Sequence, residues 1–185
     1  MDGSSNFVRM KMKEWFEKLV MTIIIRMLFG KEYDFEEGNR ARNSMLVGGS
    51  DIIIVALTWT LSLLLNNPHV MQKAQEELDI QVGRNKLVDE SHTNSLVYLL
   101  AIAKESLRLY PQDVKGNRFK LIPFGAGRRI CTTLVLLHLT LANLLHAFEI
   151  TKPSNEPIDM SSNLGIKETP LEVLLASRLS PDLYN

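Results

Sequence analysis

The chain has 185 residues, 45% of them hydrophobic, with 21 Lys+Arg balanced by 21 Asp+Glu and a formal net charge of zero. This balance argues against nucleic acid as a bulk electrostatic partner, and the apolar content is enough for one buried core. The single cysteine excludes an internal disulfide and fits a reducing compartment.

The first residues, "MDGSSNFVRMKMK", are polar and basic, with no secretory h-region behind them. Spacings of three and four among Trp15, Phe16, Leu19, Val20, Ile23, Ile24 and Met27 predict a helix over Arg9–Phe29. Gly30 is placed to stop it, and the charged stretch 31–42 reads as loop or frayed helix. A second helix is expected from Ser44 to Asn66, apolar nearly all round and therefore buried at the centre of the domain. Pro68 suits the first turn of a third helix that ends near Gly83. A polar connection follows, in which Thr93 or Asn94 is placed to cap a helix over Leu96–Leu109, ending before Pro111. Residues 112–121 read as extended. A further helix is predicted from about Thr133 to Phe148, and Leu171–Leu179 as a short strand. The longest apolar stretches, Ile52–Leu65 and Leu134–Leu145, fall short of the ~18–20 residues that span a bilayer, so no membrane span is expected. The fold class is mainly α with a small β component.

Chemistry concentrates at "PFGAGRRICTT", residues 123–133. A lone cysteine is usually a small buried hydrophobe. Here Gly125 and Gly127 let the backbone turn and approach a flat ligand. Arg128 and Arg129 offer planar forks for a carboxylate, and Cys131 opens an apolar helix, where free N–H groups stabilise a thiolate. A thiolate beside an arginine suits haem iron ligation. A glycine turn with two solvated arginines remains the bland alternative. A phosphate site is the weaker one, because both the GxGxxG spacing and the P-loop Lys-Ser/Thr are missing.

Phe124, Gly127, Arg129 and Cys131 match the Phe-x-x-Gly-x-Arg-x-Cys signature of the cytochrome P-450 family. The chain also resembles plant microsomal members in "LHLTLANLLHAFE" and in the tail "PIDMSSNLGIKETPLEVLLASRL". The resemblance implies an incomplete cytochrome P-450 fold holding haem b (iron protoporphyrin IX), with Cys131 as axial iron ligand and Arg129 on a haem propionate. It further implies monooxygenation of a small organic molecule, an NADPH-cytochrome reductase as electron donor, and the cytosolic face of the endoplasmic reticulum. "KESLRLYP" places Glu105 and Arg108 three apart, a surface pair in isolation. Beside the cysteine motif it resembles the family's Glu-x-x-Arg helix, a structural lock. In "VGGSDIII", Gly48, Gly49 and Asp51 resemble the central helix that crosses the haem face, with Asp51 in the proton-delivering position. An acid near a helix start that favours the dipole is the competing reading of Asp51.

The resemblance is patchy. Ile52 stands where the family has threonine, and an isoleucine donates no hydrogen bond. Thr132-Thr133 replaces the family's x-Gly, and the link to "LHLTLA" comes out about one helical turn short. Blocks present in the family are missing between Pro111 and Gln112 and between the first two helices. The expectation is one partial domain in three pieces, 1–43, 44–111 and 112–185, with impaired or absent turnover. A non-catalytic, unstable fragment or a helical interaction module is the alternative.

Overall fold

The computed structural model describes residues 7–29, 44–109, 132–163, 166–167 and 169–184. Gly30, the stretch 31–42, residues 112–121 and the segment 123–131 lie outside them. In chain order the elements are β1 (Val8–Lys11), α1 (Met12–Phe29), α2 (Ser44–Asn66), α3 (Pro68–Gln81), a 3-10 turn (Glu90–His92) and α4 (Val97–Leu109). Then follow α5 (Thr132–Ala147), β2 (Phe148–Thr151), β3 (Ser162–Asn163), β4 (Ile166–Lys167), β5 (Glu172–Ser177) and a final 3-10 turn (Pro181–Tyr184). The mainly helical reading with a little sheet holds.

The all-round apolar sequence of α2 has the expected consequence. Ile53, Ile54, Ala56, Leu57, Trp59, Leu61, Leu64 and Leu65 are buried, and α1, α3, α4 and α5 all pack on this helix. Its buried hydroxyls are satisfied locally: Thr58 donates to the Ile54 carbonyl (2.7 Å) and Ser62 to that of Thr58 (2.8 Å). Those bonds remove the cost of burying polar groups in a core helix. Among the described residues no single helix is long and apolar enough to cross a membrane.

The chain start departs from the expected helix. Val8–Lys11 is a strand, and α1 begins at Met12. β1 pairs antiparallel with β5 in the register Val8↔Leu175 to Lys11↔Glu172. A sheet partner more than 160 residues away in sequence overrides the local helical spacing. The last helix likewise stops at Ala147, because Phe148 opens β2, which pairs with the other side of β5 (Phe148↔Ser177, Ile150↔Leu175). β5 is thus the centre of a β1-β5-β2 sheet, and its alternating Val173 and Leu175 point into the core.

Two polar devices and a glycine turn fasten the periphery. The Asn66 side chain pairs with the backbone of Ile158 in both directions, at 2.9 and 2.8 Å, and so ties the end of α2 to the tail. Asp79, at the end of α3, accepts from Arg84 (2.8 Å) and from the nearly buried Arg178 just past β5 (2.7 Å). Burial works to raise the Asp79 pKa, but the two arginines outweigh it and hold the carboxyl below its ordinary value. Gly83 ends the turn after α3 at φ +80°, a left-handed conformation suited to glycine.

Candidate functional site

Glu105 and Arg108 lie one turn apart on α4 and form a two-pronged ion pair: Arg108 Nε to Glu105 Oε2 at 2.7 Å, and Nη2 to Oε1 at 2.6 Å. Hydrogen bonding to Arg108 holds the Glu105 carboxyl below its ordinary pKa, and the guanidinium is raised in turn. Both side chains are exposed, so the pair by itself adds little stability. Its significance is geometric: the fork fixes both side chains on one face of α4.

The helix that carries the pair is itself held from two sides. Thr60 of α2 donates to the Ala56 carbonyl (2.7 Å), which leaves Ser106 as donor to Thr60 across the helix interface at 2.6 Å, with both groups buried. At the start of α4 the Glu77 carboxylate, from α3, accepts the amides of Tyr98 (2.8 Å) and Leu99 (2.9 Å). This corrects the expected cap: Thr93 bonds back to Glu90, and the free amides of α4 are met by an acid on another helix. Lys73 of α3 lies 4.6 Å over the Tyr98 ring and adds a cation–π contact at the same corner. Neither Ser106 nor Glu77 stands out from its neighbours in the sequence. The only local signal is a small polar residue on each apolar helix face.

Thr60→Val keeps the shape but removes the hydroxyl. It is expected to cost about 1–3 kcal/mol, since Ser106 loses a buried partner. A denaturant melt of the variant beside Ser106→Ala and the double variant gives the coupling directly.

Asp51 lies on α2, seven residues after its first residue Ser44, and is exposed to solvent. It is past the first turn, so the dipole at the helix start is not what places it there. Phe124, Gly127, Arg129 and Cys131 lie outside the described residues. The residue after Cys131, Thr132, opens α5. Among the described residues no group of three His, Cys, Asp or Glu is placed to hold a metal ion. A haem brings four nitrogen donors of its own and asks the protein for as little as one axial ligand. The donor set of this chain, one thiol ahead of a helix N-terminus, fits that demand.

A family profile described as Cytochrome P450 matches residues 40–114. The chain is 41% identical to flavonoid-6-hydroxylase of Mentha piperita, over 84% of this chain and 43% of the relative. It is 40% identical to strychnine-10-hydroxylase of Strychnos nux-vomica (76% of this chain, 39% of the relative). With demethylepipodophyllotoxin synthase of Sinopodophyllum hexandrum the figures are 35% identity, 91% of this chain and 44% of the relative. The chain belongs to the cytochrome P450 family. It spans less than half the length of these P450 relatives. The first alignment runs over 222 residues yet takes in 84% of 185, or about 155, so about 67 aligned positions of that P450 have no counterpart here. The second and third alignments, of 206 and 232 residues over 76% and 91% of this chain, leave a similar shortfall of about 65.

Proposed function

We propose that this chain is a haem-thiolate protein of the monooxygenase type, acting on a small organic molecule of plant secondary metabolism. The observation that carries the reading is the two-pronged Glu105–Arg108 pair on a helix bonded to the central helix, in a chain that also holds Phe-x-x-Gly-x-Arg-x-Cys. The thiolate of Cys131 would hold haem b from one side, favoured by the N–H groups at the start of α5. Arg129 would fork onto a propionate, and Phe124 and Gly127 would shape the loop against the ring. The haem, when bound, supplies the redox chemistry that inserts one atom of molecular oxygen into the substrate, with electrons from an NADPH-cytochrome reductase. Asp51, exposed on α2, would take protons from solvent at its carboxylate and pass them inward.

In this reading turnover is impaired. Ile52 provides no hydroxyl to continue the proton path from Asp51. The family match stops at residue 114, just past Pro111, which supports a missing block at the Pro111–Gln112 join. About 65 aligned positions of strychnine-10-hydroxylase have no counterpart in this chain. The same shortfall favours the second reading, a non-catalytic helical fragment. Titration of the purified chain with ferric haem separates the two. The haem-thiolate reading expects saturable Soret absorbance at one haem per chain, and about 10–100-fold weaker binding in Arg129→Ala through loss of a charge-assisted pair. Absorbance that never saturates, alike in both proteins, sinks it.

A further inference from the structure

We propose that β1 is a docking edge for an extended acidic segment of another protein, which adds to the sheet as an antiparallel strand. β1 ends the β1-β5-β2 order, so among the described residues its outer edge carries no strand. The register fixes which backbone groups lie on that edge. Met12 N–H donates to the Leu171 carbonyl, one step past the Lys11↔Glu172 pair. Bonded and unbonded pairs alternate along an antiparallel ladder, so Val8 and Met10 turn their backbone groups toward β5. Arg9 and Lys11 therefore turn theirs outward. The far side of β5 agrees. Arg178 N–H donates to the Ala147 carbonyl, one step past Phe148↔Ser177. That assigns Leu174 and Ala176 to β2 and leaves Val173 and Leu175 for β1.

The edge is open to a partner. The Arg9 and Lys11 side chains are 65% and 59% exposed, and Val8 is 59% exposed. Arg9 N–H, Arg9 C=O and Lys11 N–H offer three backbone bonds to an added strand. The Lys11 carbonyl, immediately ahead of α1, is left to that helix. Unpaired groups on an edge strand are a template for another chain, and strand addition is a recurring way to bind an extended peptide.

Charge selects the partner. Residues two apart on a strand share a face, so Arg9 and Lys11 stand together on one face of the sheet. Val8 and Met10 stand on the other, beside Leu175 and Val173. A second copy of β1 on this edge would set the cations opposite one another, which is destabilising. Acids there do the reverse. The fitting segment therefore carries acids at two alternate positions, across from Arg9 and Lys11, and apolar residues across from Val8 and Met10. Two acids of this chain lie nearby: Glu172 is 3.8 Å from Arg9, and Glu14 is 3.6 Å from Lys11. Both are long contacts between solvent-exposed groups, worth little in water and readily exchanged for acids on a partner.

The docking edge uses none of the residues assigned to haem and neither member of the Glu105–Arg108 pair. Its test is therefore separate from that of the haem-thiolate reading.

The probe is a capped peptide, acetyl-Gly-Glu-Val-Glu-Val-Gly-amide, titrated into the isotope-labelled full chain and followed by amide NMR shifts. Saturable shifts are expected at the Arg9 and Lys11 amides. The same peptide with Lys for Glu should bind about 2–30-fold more weakly, through two cross-strand charge pairs, and the difference should shrink as salt is raised. In this register the two Glu amides of the peptide face β1 and the Val amides face away. N-methylation of the Glu amides should weaken binding about tenfold through lost backbone bonds, and N-methylation of the Val amides should leave it unchanged. Arg9→Gln with Lys11→Gln should bind the Glu and Lys peptides alike. The peptide comparisons need only the parent chain, so they decide the matter even if that variant fails to fold. Absence of saturable shifts at β1 overturns the proposal, as does equal binding of the Glu and Lys peptides to the parent chain. Equal weakening by the two N-methylations would mean adhesion by charge without strand addition, and overturns it. A dimer through β1 in sedimentation that excess peptide does not displace would make a second copy the occupant, and overturns it too.

Discussion

Phe16→Ala is expected to destabilise the chain by about 3–5 kcal/mol, a large part of the ~5–15 kcal/mol that holds a domain together. Phe16 is fully buried between Met12 and Val20, which are fully buried as well. Its ring meets Trp15 edge-on at 5.6 Å, an arrangement that adds to the area term. These side chains seat α1 against α2, and α1 follows directly from β1, so the loss extends to the sheet edge. Met12 N–H donates to the Leu171 carbonyl at 2.9 Å, which joins the start of α1 to the entry of β5. A urea melt read by far-UV circular dichroism should show the shift in midpoint. A change below about 1 kcal/mol would mean that α1 does not pack as described.

The same junction shows where local pattern gives out. The helical spacing of Trp15 to Met27 was enough to find α1, and the unbroken apolar run was enough to bury α2. Val8–Lys11 and Phe148–Thr151 were not legible as strands. Each is four residues long, and each takes its conformation from β5, far along the chain. β5 itself was legible, since its alternation and β-branched Val173 mark one buried face.

Glu77→Ala is the second large effect, about 2–4 kcal/mol. Two amides at the start of α4 lose a charged acceptor, and the favourable charge at the helix N-terminus goes with it. Glu77→Gln keeps a neutral acceptor for one amide and should fall between. The loss should concentrate on α4, so hydrogen exchange at Tyr98 and Leu99 ought to accelerate more than exchange in α3. Equal protection in Glu77→Ala and the parent chain would contradict the cap.

The site was legible unevenly, for a physical reason. An i, i+3 acid–base pair is a local feature, and Glu105–Arg108 formed as its spacing implies. The contacts that orient that pair are tertiary. Thr60 and Ser106 are 46 residues apart, and Glu77 lies 21 before the first amide it caps. Nothing in the order of residues joins them until the helices pack. The haem loop was the reverse: its motif is plain in Phe124, Gly127, Arg129 and Cys131, and it lies outside the described residues. What marks the loop is its residue chemistry and the start of α5 at Thr132.

The central claim is that Cys131 gives this chain a haem-thiolate centre. The direct measurement is the reduced, carbon monoxide difference spectrum of the full chain with haem added, beside Cys131→Ala. The account predicts a Soret band at the thiolate-ligated position in the parent chain and its disappearance in Cys131→Ala. No such band in the parent chain, or the same band in Cys131→Ala, would contradict it.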